Sequence, residues 1–208
     1  MLASAPRFRP LFLSLRFALL LAAAILLMAT PLRAEDGHGG AVKSIAISPD
    51  GKHAVTGSFD YSIIIWDLEK RVPLRRLIGH DAGVNSVAIA PDGRHLISGG
   101  DDGLVILWDL TKTEPLHRFT GHKSKVAAVA ISPDGKTALS GAWDRSVRVW
   151  DIAARKERAV LKGHQNNVNT VAYSSDGKTI LSGSYDGTLR LWRHRDGEQQ
   201  AVISGHGF

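Results

Sequence analysis

Histidine, aspartate and a hydroxyl side chain recur together along the chain, and these three types can form a nucleophilic hydrolase site. In such a site the histidine takes a proton from the hydroxyl, and the carboxylate orients the histidine. Here the set occurs four times, each time with a tryptophan, at a constant interval of 42 residues, as from His38 to His80. A nucleophilic site is a single constellation, so the repetition favours a structural use. The four sets are His38, Thr56, Asp60 and Trp66; His80, Ser98, Asp102 and Trp108; His122, Ser140, Asp144 and Trp150; and His164, Ser182, Asp186 and Trp192.

The spacing of the nine histidines does not favour a metal site either. The repeated histidines fall in different units and cannot converge on one zinc ion, which binds imidazole at ~2.0–2.1 Å. The others, His53, His95, His117 and His194, are expected at strand starts or in loops and solvated. The chain has no cysteine, which excludes disulfides, thiolate metal sites and covalent haem attachment within it. We therefore expect no metal and no cofactor.

The elements that must position these residues are short strands. One unit reads VNSVAIA, PDGR, HLISGG, DDG and LVILWDL, which predicts three apolar strands joined by two tight turns. A fourth strand follows a polar loop, as in PLHRFTG. Of the adjacent turn residues Asp101 and Asp102, one is expected to cap the turn and the other to face solvent, a poor arrangement for acid–base catalysis. The pattern predicts repeats at 38–79, 80–121, 122–163 and 164–205, with a fifth that opens at 205 and is cut off.

The order of motifs within a repeat resembles the WD-repeat family of β-propellers. The motifs are glycine-histidine, a Pro-Asp-Gly turn, Ser-Gly, an aspartate turn and Trp-Asp, and the resemblance covers residues 38–206. The fourth Trp-Asp departs from the pattern as Trp192-Arg193. The resemblance implies an all-β fold, a β-propeller built of four-stranded antiparallel blades, four of which are present. It also implies that each set of histidine, aspartate, hydroxyl and tryptophan forms one hydrogen-bonded chain across a blade.

Four blades are fewer than the seven that the family usually has, so we expect them to be part of a larger ring. Either the sequence is a truncated form of a longer protein, or the chain pairs with a second copy to close a ring of eight blades. A compact four-bladed monomer is the remaining alternative. Self-association through open blade flanks is expected, because neither end of the array has a polar capping repeat.

Function is expected in the loops, because repeat scaffolds keep the frame constant and vary what the loops present. In WD propellers the presenting face carries the histidine and aspartate loops. An aromatic residue precedes the turn aspartate in three of the four repeats, and polar residues begin the innermost strands. Alternatively, these aromatic side chains only cover the edge of the neighbouring blade. The candidate partner-binding residues are Phe59, Asp101, Trp143, Tyr185, Lys43, Asn85, Lys125, Asn167 and Asn169.

Residues 1–34 have the layout of a signal peptide. They contain four arginines, no acidic residue and the apolar run FALLLAAAILLMA, which is too short to span a bilayer core of ~30 Å. We expect a Sec-type signal that is cleaved after Ala34, a periplasmic or secreted product and no stable membrane insertion afterwards; the alternative is an uncleaved anchor. Loss of the four arginines lowers the net charge from +6 to +2, so no basic surface suggests a nucleic-acid partner.

These expectations favour a non-catalytic scaffold that binds a protein or peptide. An alternative is the propeller part of a longer exported protein fused to a c-type cytochrome, an arrangement found in some exported proteins that resemble this one. A C-x-x-C-H motif further along the reading frame would decide for that electron-transfer function. A propeller hydrolase or lactonase is a third possibility, but the sequence has no unrepeated polar cluster to support it.

Overall fold

The computed structural model describes residues 37–205. The expected signal peptide and its cleavage site at residues 1–34 lie outside the described residues, as does His206 of the expected fifth repeat. All regular elements between residues 37 and 205 are β-strands. The described part of the chain therefore contains no helix that could span a membrane.

The strands form four sheets, each of four antiparallel strands that follow one another in sequence. Blade 1 contains β1 (Val42–Ile47), β2 (His53–Ser58), β3 (Ser62–Asp67) and β4 (Val72–Ile78). Blade 2 contains β5 (Val84–Ile89), β6 (His95–Gly100), β7 (Val105–Asp109) and β8 (Pro115–Phe119). Blade 3 contains β9 (Val126–Ile131), β10 (Thr137–Ala142), β11 (Ser146–Asp151) and β12 (Lys156–Lys162). Blade 4 contains β13 (Val168–Tyr173), β14 (Thr179–Ser184), β15 (Thr188–Arg193) and β16 (Gln199–Ser204). The predicted all-β fold of four propeller blades is thus confirmed.

The turn between the first two strands of a blade shows how local sequence ends a strand. In blade 1 Ser48 Oγ donates to Asp50 Oδ1 at 2.5 Å, and the Lys52 amide donates to the same oxygen at 3.0 Å. Gly51 has a φ of 70°, a left-handed conformation that glycine adopts without steric cost. The chain therefore reverses here, and the aspartate turn after β2 lies at the same end of the sheet as the loop that leads into β1.

Apolar packing joins each blade to the next, and the innermost strands β1, β5, β9 and β13 lie side by side in that order. Each of the three hydrophobic cores lies across one joint between blades. At the first joint a Cβ added to Gly57 of blade 1 would lie only 2.7 Å from Val84 Cγ1 of blade 2. Gly99 and Gly141 make the same approach at the next two joints. These glycines let the next blade come close enough to bury its valines.

Candidate functional site

Each blade holds one chain of hydrogen bonds built from the repeated tryptophan, hydroxyl, histidine and aspartate. In blade 2, Trp108 Nε1 donates to Ser98 Oγ at 2.8 Å. Ser98 Oγ lies 2.7 Å from Nε2 of His80, whose Nδ1 lies 2.8 Å from Asp102 Oδ2. Equivalent bonds of 2.6–2.9 Å join Trp66, Thr56, His38 and Asp60; Trp150, Ser140, His122 and Asp144; and Trp192, Ser182, His164 and Asp186.

One assignment of protons satisfies every group of this network. The indole N–H donates to the hydroxyl oxygen, the hydroxyl donates to Nε2 of a neutral imidazole, and Nδ1–H donates to the carboxylate. The carboxylate of Asp102 also accepts the backbone N–H groups of Asp81 and Leu104, both at 3.0 Å. Ser98 and Ser140 are 0% exposed, so a substrate does not reach these hydroxyls. The network therefore connects the strands of a blade, and its hydroxyls in blades 2 and 3 are shielded from solvent.

The hydrogen bonds also keep the network carboxyls ionised. Burial by itself would raise the pKa of Asp144, but the bonds from His122 and Ser146 hold the pKa of this carboxyl well below its ordinary value. Burial opposes the shift at Asp102 as well, where the bond from His80 lowers the pKa. An ionised acceptor strengthens the hydrogen bond from the imidazole, so each His–Asp contact is a charge-assisted bond.

Three of the four networks include a second hydroxyl that was not predicted from the sequence. It lies two residues after the aspartate, where Ser62, Ser146 and Thr188 each donate to that aspartate's Oδ1 at 2.6–2.7 Å. Blade 2 has Leu104 at this position and lacks the bond. The signal was present in the sequence, since these positions also recur with the interval of 42 residues, as from Ser146 to Thr188.

Seven of the nine candidate binding residues line one depression of about 400 Å³. It lies at the end of the sheets that carries the aspartate turns, and all four blades contribute to it. The depression is lined by Lys43 and Phe59 of blade 1, Asn85 and Asp101 of blade 2, Lys125, Ala127 and Trp143 of blade 3, and Asn169 of blade 4.

Two lysine side chains in the depression lie over aromatic rings. Lys43 Nζ is 4.8 Å from the centroid of the Phe59 ring, and Lys125 Nζ is 5.2 Å from that of the Trp143 ring. Such a cation–π contact contributes ~0.5–1 kcal/mol at an exposed site. Each contact therefore helps to hold an ammonium group beside an aromatic surface that a ligand can touch.

Neither of the adjacent turn residues Asp101 and Asp102 simply faces solvent, because Asp102 belongs to the network and Asp101 has side-chain partners of its own. Its Oδ1 accepts a bond from Asn85 Nδ2 at 2.7 Å, and its Oδ2 lies 3.1 Å from Lys125 Nζ of the next blade. Asn85 Nδ2 also donates to the carbonyl oxygen of Val126 in that blade at 3.0 Å. These partners come from other strands and another blade, so the turn sequence alone does not reveal them. Asp101 thus fixes Lys125 at the wall of the depression.

The two remaining candidates, Tyr185 and Asn167, do not line the depression. The amide of Tyr185 donates to the carbonyl of Asn167 at 2.9 Å, and the Tyr185 side chain is 52% exposed. The alternative role of the aromatic residues also has a structural basis at Phe59. A Cβ added to Gly83 of the next blade would lie 2.5 Å from Phe59 Cδ1. Phe59 therefore covers the edge of blade 2 while its ring remains partly open to the depression.

The expectation of solvated loop histidines is wrong for His194, which lies between blades 3 and 4. Its Nδ1 donates to the carbonyl of Gly177 at 2.9 Å, and its Nε2 lies 3.1 Å from Thr137 Oγ1. Its ring packs edge-on against Tyr173 with 5.1 Å between centroids. Burial raises the pKa of the Tyr173 hydroxyl to about 12. Residues 37–205 contain no group of three histidine, aspartate or glutamate side chains that could hold a metal ion.

Comparison with known families accounts for the constant interval. The family described as WD domain, G-beta repeat matches residues 29–67, 71–109, 113–151 and 155–193. A search of curated proteins gave no match. Each matched unit is offset from a blade: the second one contains β4 of blade 1 and then β5, β6 and β7 of blade 2. Because the four matches cover most of the sequence, the chain belongs to the WD40 repeat family.

Proposed function

We propose that this protein is a scaffold that binds a peptide segment of a partner protein in the depression between its four blades. WD40 repeats suggest a protein-interaction module, which gives the coarse function. The finer proposal is supported by one observation, the placement of two lysine–aromatic pairs in a single depression. Aromatic side chains beside fixed polar groups are typical anchors of protein interfaces.

The charges in the depression favour a partner segment with an acidic residue. Lys125 is already paired with Asp101 at 3.1 Å, whereas Lys43 makes no ion pair with a carboxylate of residues 37–205. A carboxylate of the ligand would pair with Lys43. An apolar side chain beside it would pack on Trp143, which is 40% exposed. We therefore infer a ligand that combines an acidic residue with an apolar or aromatic one.

Peptides selected from a random library on the purified protein should be enriched in acidic and apolar residues. Trp143→Ala should raise the Kd of such a peptide at least about tenfold, because it removes an aromatic anchor. Lys43→Ala should also raise the Kd and should reduce its dependence on salt concentration. Tyr185→Ala should have a smaller effect, because Tyr185 lies outside the depression. Titration calorimetry measures the Kd, and thermal denaturation should show nearly unchanged Tm values.

Ile78→Ala is the matched control for these variants. Ile78 is an apolar residue that is 66% exposed on β4 and does not line the depression. Its replacement should change neither the Kd nor the Tm. If Trp143→Ala instead lost stability and bound the peptides as the wild type does, the aromatic residues would only cover blade edges, and the proposed ligand site would be wrong.

We also propose that the chain is exported and that the mature protein begins near Glu35. The support is the arrangement of residues 1–34, in which arginines precede an apolar run and small residues follow. Sequencing of the N-terminus should find Glu35 or a close neighbour in protein recovered from the periplasm or the medium. Recovery of Met1 from a membrane fraction would show an uncleaved anchor and contradict the proposal.

A further inference from the structure

The three joints between blades repeat one construction. At each joint the innermost strand of the second blade buries two valines against the first blade. At the first joint these are Val84 and Val87, which are 0% and 6% exposed. The first blade has a glycine at this place, such as Gly57, which leaves space for the two valines among the apolar side chains of its sheet. The valines of blades 3 and 4 at the same positions are 0–8% exposed; they are Val126, Val129, Val168 and Val171.

Blade 1 has the same two apolar positions on its innermost strand, but no blade among residues 37–205 packs against them. Val42 and Ile45 occupy the two valine positions and are 53% and 65% exposed. Ile47 beside them is 62% exposed. Trp66 is only partly buried, whereas the equivalent tryptophans of the other blades are 1–2% exposed. We call this surface, formed by Val42, Ile45, Ile47 and Trp66, the blade-1 flank.

Blade 4 has the glycine and the apolar side chains that surround it, and again no blade among residues 37–205 packs against them. Gly183 stands at the position of Gly57, and four apolar side chains surround it at positions that are buried in the other blades. In blade 3 these positions belong to the core that packs against Val168 and Val171. In blade 4 one of them, Ile203, is 49% exposed, and the other three are partly exposed. We call this surface, formed by Leu181, Gly183, Leu189, Leu191 and Ile203, the blade-4 flank.

A polar contact made at the first two joints has its two halves on the two flanks as well. Ser44 Oγ accepts the amide N–H of Val87 at 3.1 Å, and Ser86 Oγ accepts that of Val129 at 3.0 Å. Thr170 places a hydroxyl at the equivalent position of blade 4. Ile45 stands at the position of Val87, so its backbone N–H would be the donor to the Thr170 hydroxyl in an equivalent joint.

A second polar contact, which within residues 37–205 is made only at the joint of blades 2 and 3, has a counterpart on blade 4. The Asn85 amide donates to the carbonyl of Val126 in the next blade at 3.0 Å. Asn169 stands at the position of Asn85 in blade 4, and the matching carbonyl is that of Val42. The two flanks therefore match each other in polar as well as apolar groups.

The geometry points to a second copy of this chain as the occupant of both flanks. The blade-1 flank of each copy packs on the blade-4 flank of the other, and the two identical joints close a ring of eight blades. A contact between two different surfaces closes into a ring only when the rotation that relates one copy to the next completes a full turn. Two copies with four blades each give eight blades, a number that β-propellers adopt. The new joints copy the three existing ones except beside Gly183, where an added Cβ would meet Thr170 Cγ2 at 2.7 Å rather than a valine of the next blade, so this methyl group must move to admit Val42.

The mass of the purified protein in solution tests this inference. Light scattering during size-exclusion chromatography at micromolar concentration should give the mass of two chains. Ile45→Glu should give the mass of one chain, because the joint would bury an unpaired carboxylate. Ile203→Glu on the opposite flank should do the same. Both positions are exposed in a single chain, so each variant should retain the circular dichroism spectrum of a β-protein.

Ile78→Glu is the matched control. Ile78 is as exposed as Ile45, but the equivalent residues Thr120, Lys162 and Ser204 are also exposed, so a neighbouring blade does not cover this position. This variant should remain a dimer. A wild-type monomer would overturn the inference and would leave further blades of a longer protein as the cover for both flanks. Open-ended oligomers, or a dimer that only one of Ile45→Glu and Ile203→Glu dissociates, would overturn the closed ring.

Discussion

Replacement of Trp150 by alanine should lower the free energy of unfolding by about 3–5 kcal/mol, the range for removal of a fully buried tryptophan. Trp150 is 1% exposed, and its ring packs against Phe119 of blade 2 with 5.1 Å between centroids. Its Nε1 donates to Ser140 Oγ at 2.8 Å. The substitution therefore opens a cavity across a blade joint and removes the first member of the hydrogen-bond network. Urea denaturation at a fixed protein concentration measures the loss.

Trp143→Ala provides the comparison within the same blade. Trp143 is 40% exposed and has no part in a buried core, so its removal should change the free energy of unfolding by only about 0.5 kcal/mol or less. Equal losses for the two tryptophans would show that Trp143 is a packing residue. A negligible loss for Trp150→Ala would mean that the blades are not joined through this side chain.

Replacement of Asp144 or Asp102 by alanine should destabilise the protein by about 1–3 kcal/mol each, because a buried imidazole loses its acceptor. Asp144 Oδ2 accepts from His122 Nδ1 at 2.9 Å and from the Lys123 amide at 3.0 Å. Asp81→Ala is the control, since Asp81 is exposed and contributes its backbone amide rather than its side chain to the network. Chemical denaturation should show a change of about 0.5 kcal/mol or less for this control.

The stability difference between the wild type and Asp144→Ala should depend on pH with a definite sign. The folded protein lowers the pKa of Asp144 below its ordinary value of 3.8, so folding favours the ionised form. This contribution is complete at neutral pH and is lost as the pH falls from about 4 through the lower pKa of the folded state. The difference should therefore shrink on acidification. A difference that is constant, or that grows below pH 4, would contradict the assigned His122–Asp144 bond.

The fold could be predicted because the turns and strands that build it are specified by short sequence motifs that recur in every blade. The turn residues and alternating strands recur at the same positions, as in the glycines Gly51, Gly93, Gly135 and Gly177, which all adopt φ values of 68–71°. The residues of the network could be predicted in the same way. A single copy of histidine, aspartate and serine resembles a hydrolase site, and only the fourfold repetition distinguishes a structural use.

The candidate site was harder to predict, because its contacts cross from one blade to another. The face and most of the lining residues follow from the repeat register, but the contact of Asp101 with Lys125 depends on how two blades are placed. The same holds for His194, which has the sequence context of a loop and whose Nε2 lies 3.1 Å from Thr137 Oγ1 of blade 3. The repeat along the chain predicts where a residue lies within its blade. Which side chains of two neighbouring blades come into contact depends on the packing at the joint between them.

We propose that the repeated network stabilises the blades, whereas the depression binds the ligand. Titration calorimetry with one selected peptide tests it on Trp143→Ala and Asp186→Ala, at a temperature where both remain folded. Asp186 belongs to the network of blade 4 and does not line the depression. We predict that Asp186→Ala binds with the wild-type Kd despite its lower stability, and that Trp143→Ala binds at least about tenfold more weakly at an unchanged Tm. Loss of binding by a fully stable Asp186→Ala, together with wild-type affinity of Trp143→Ala, would show that the network rather than the depression binds the ligand.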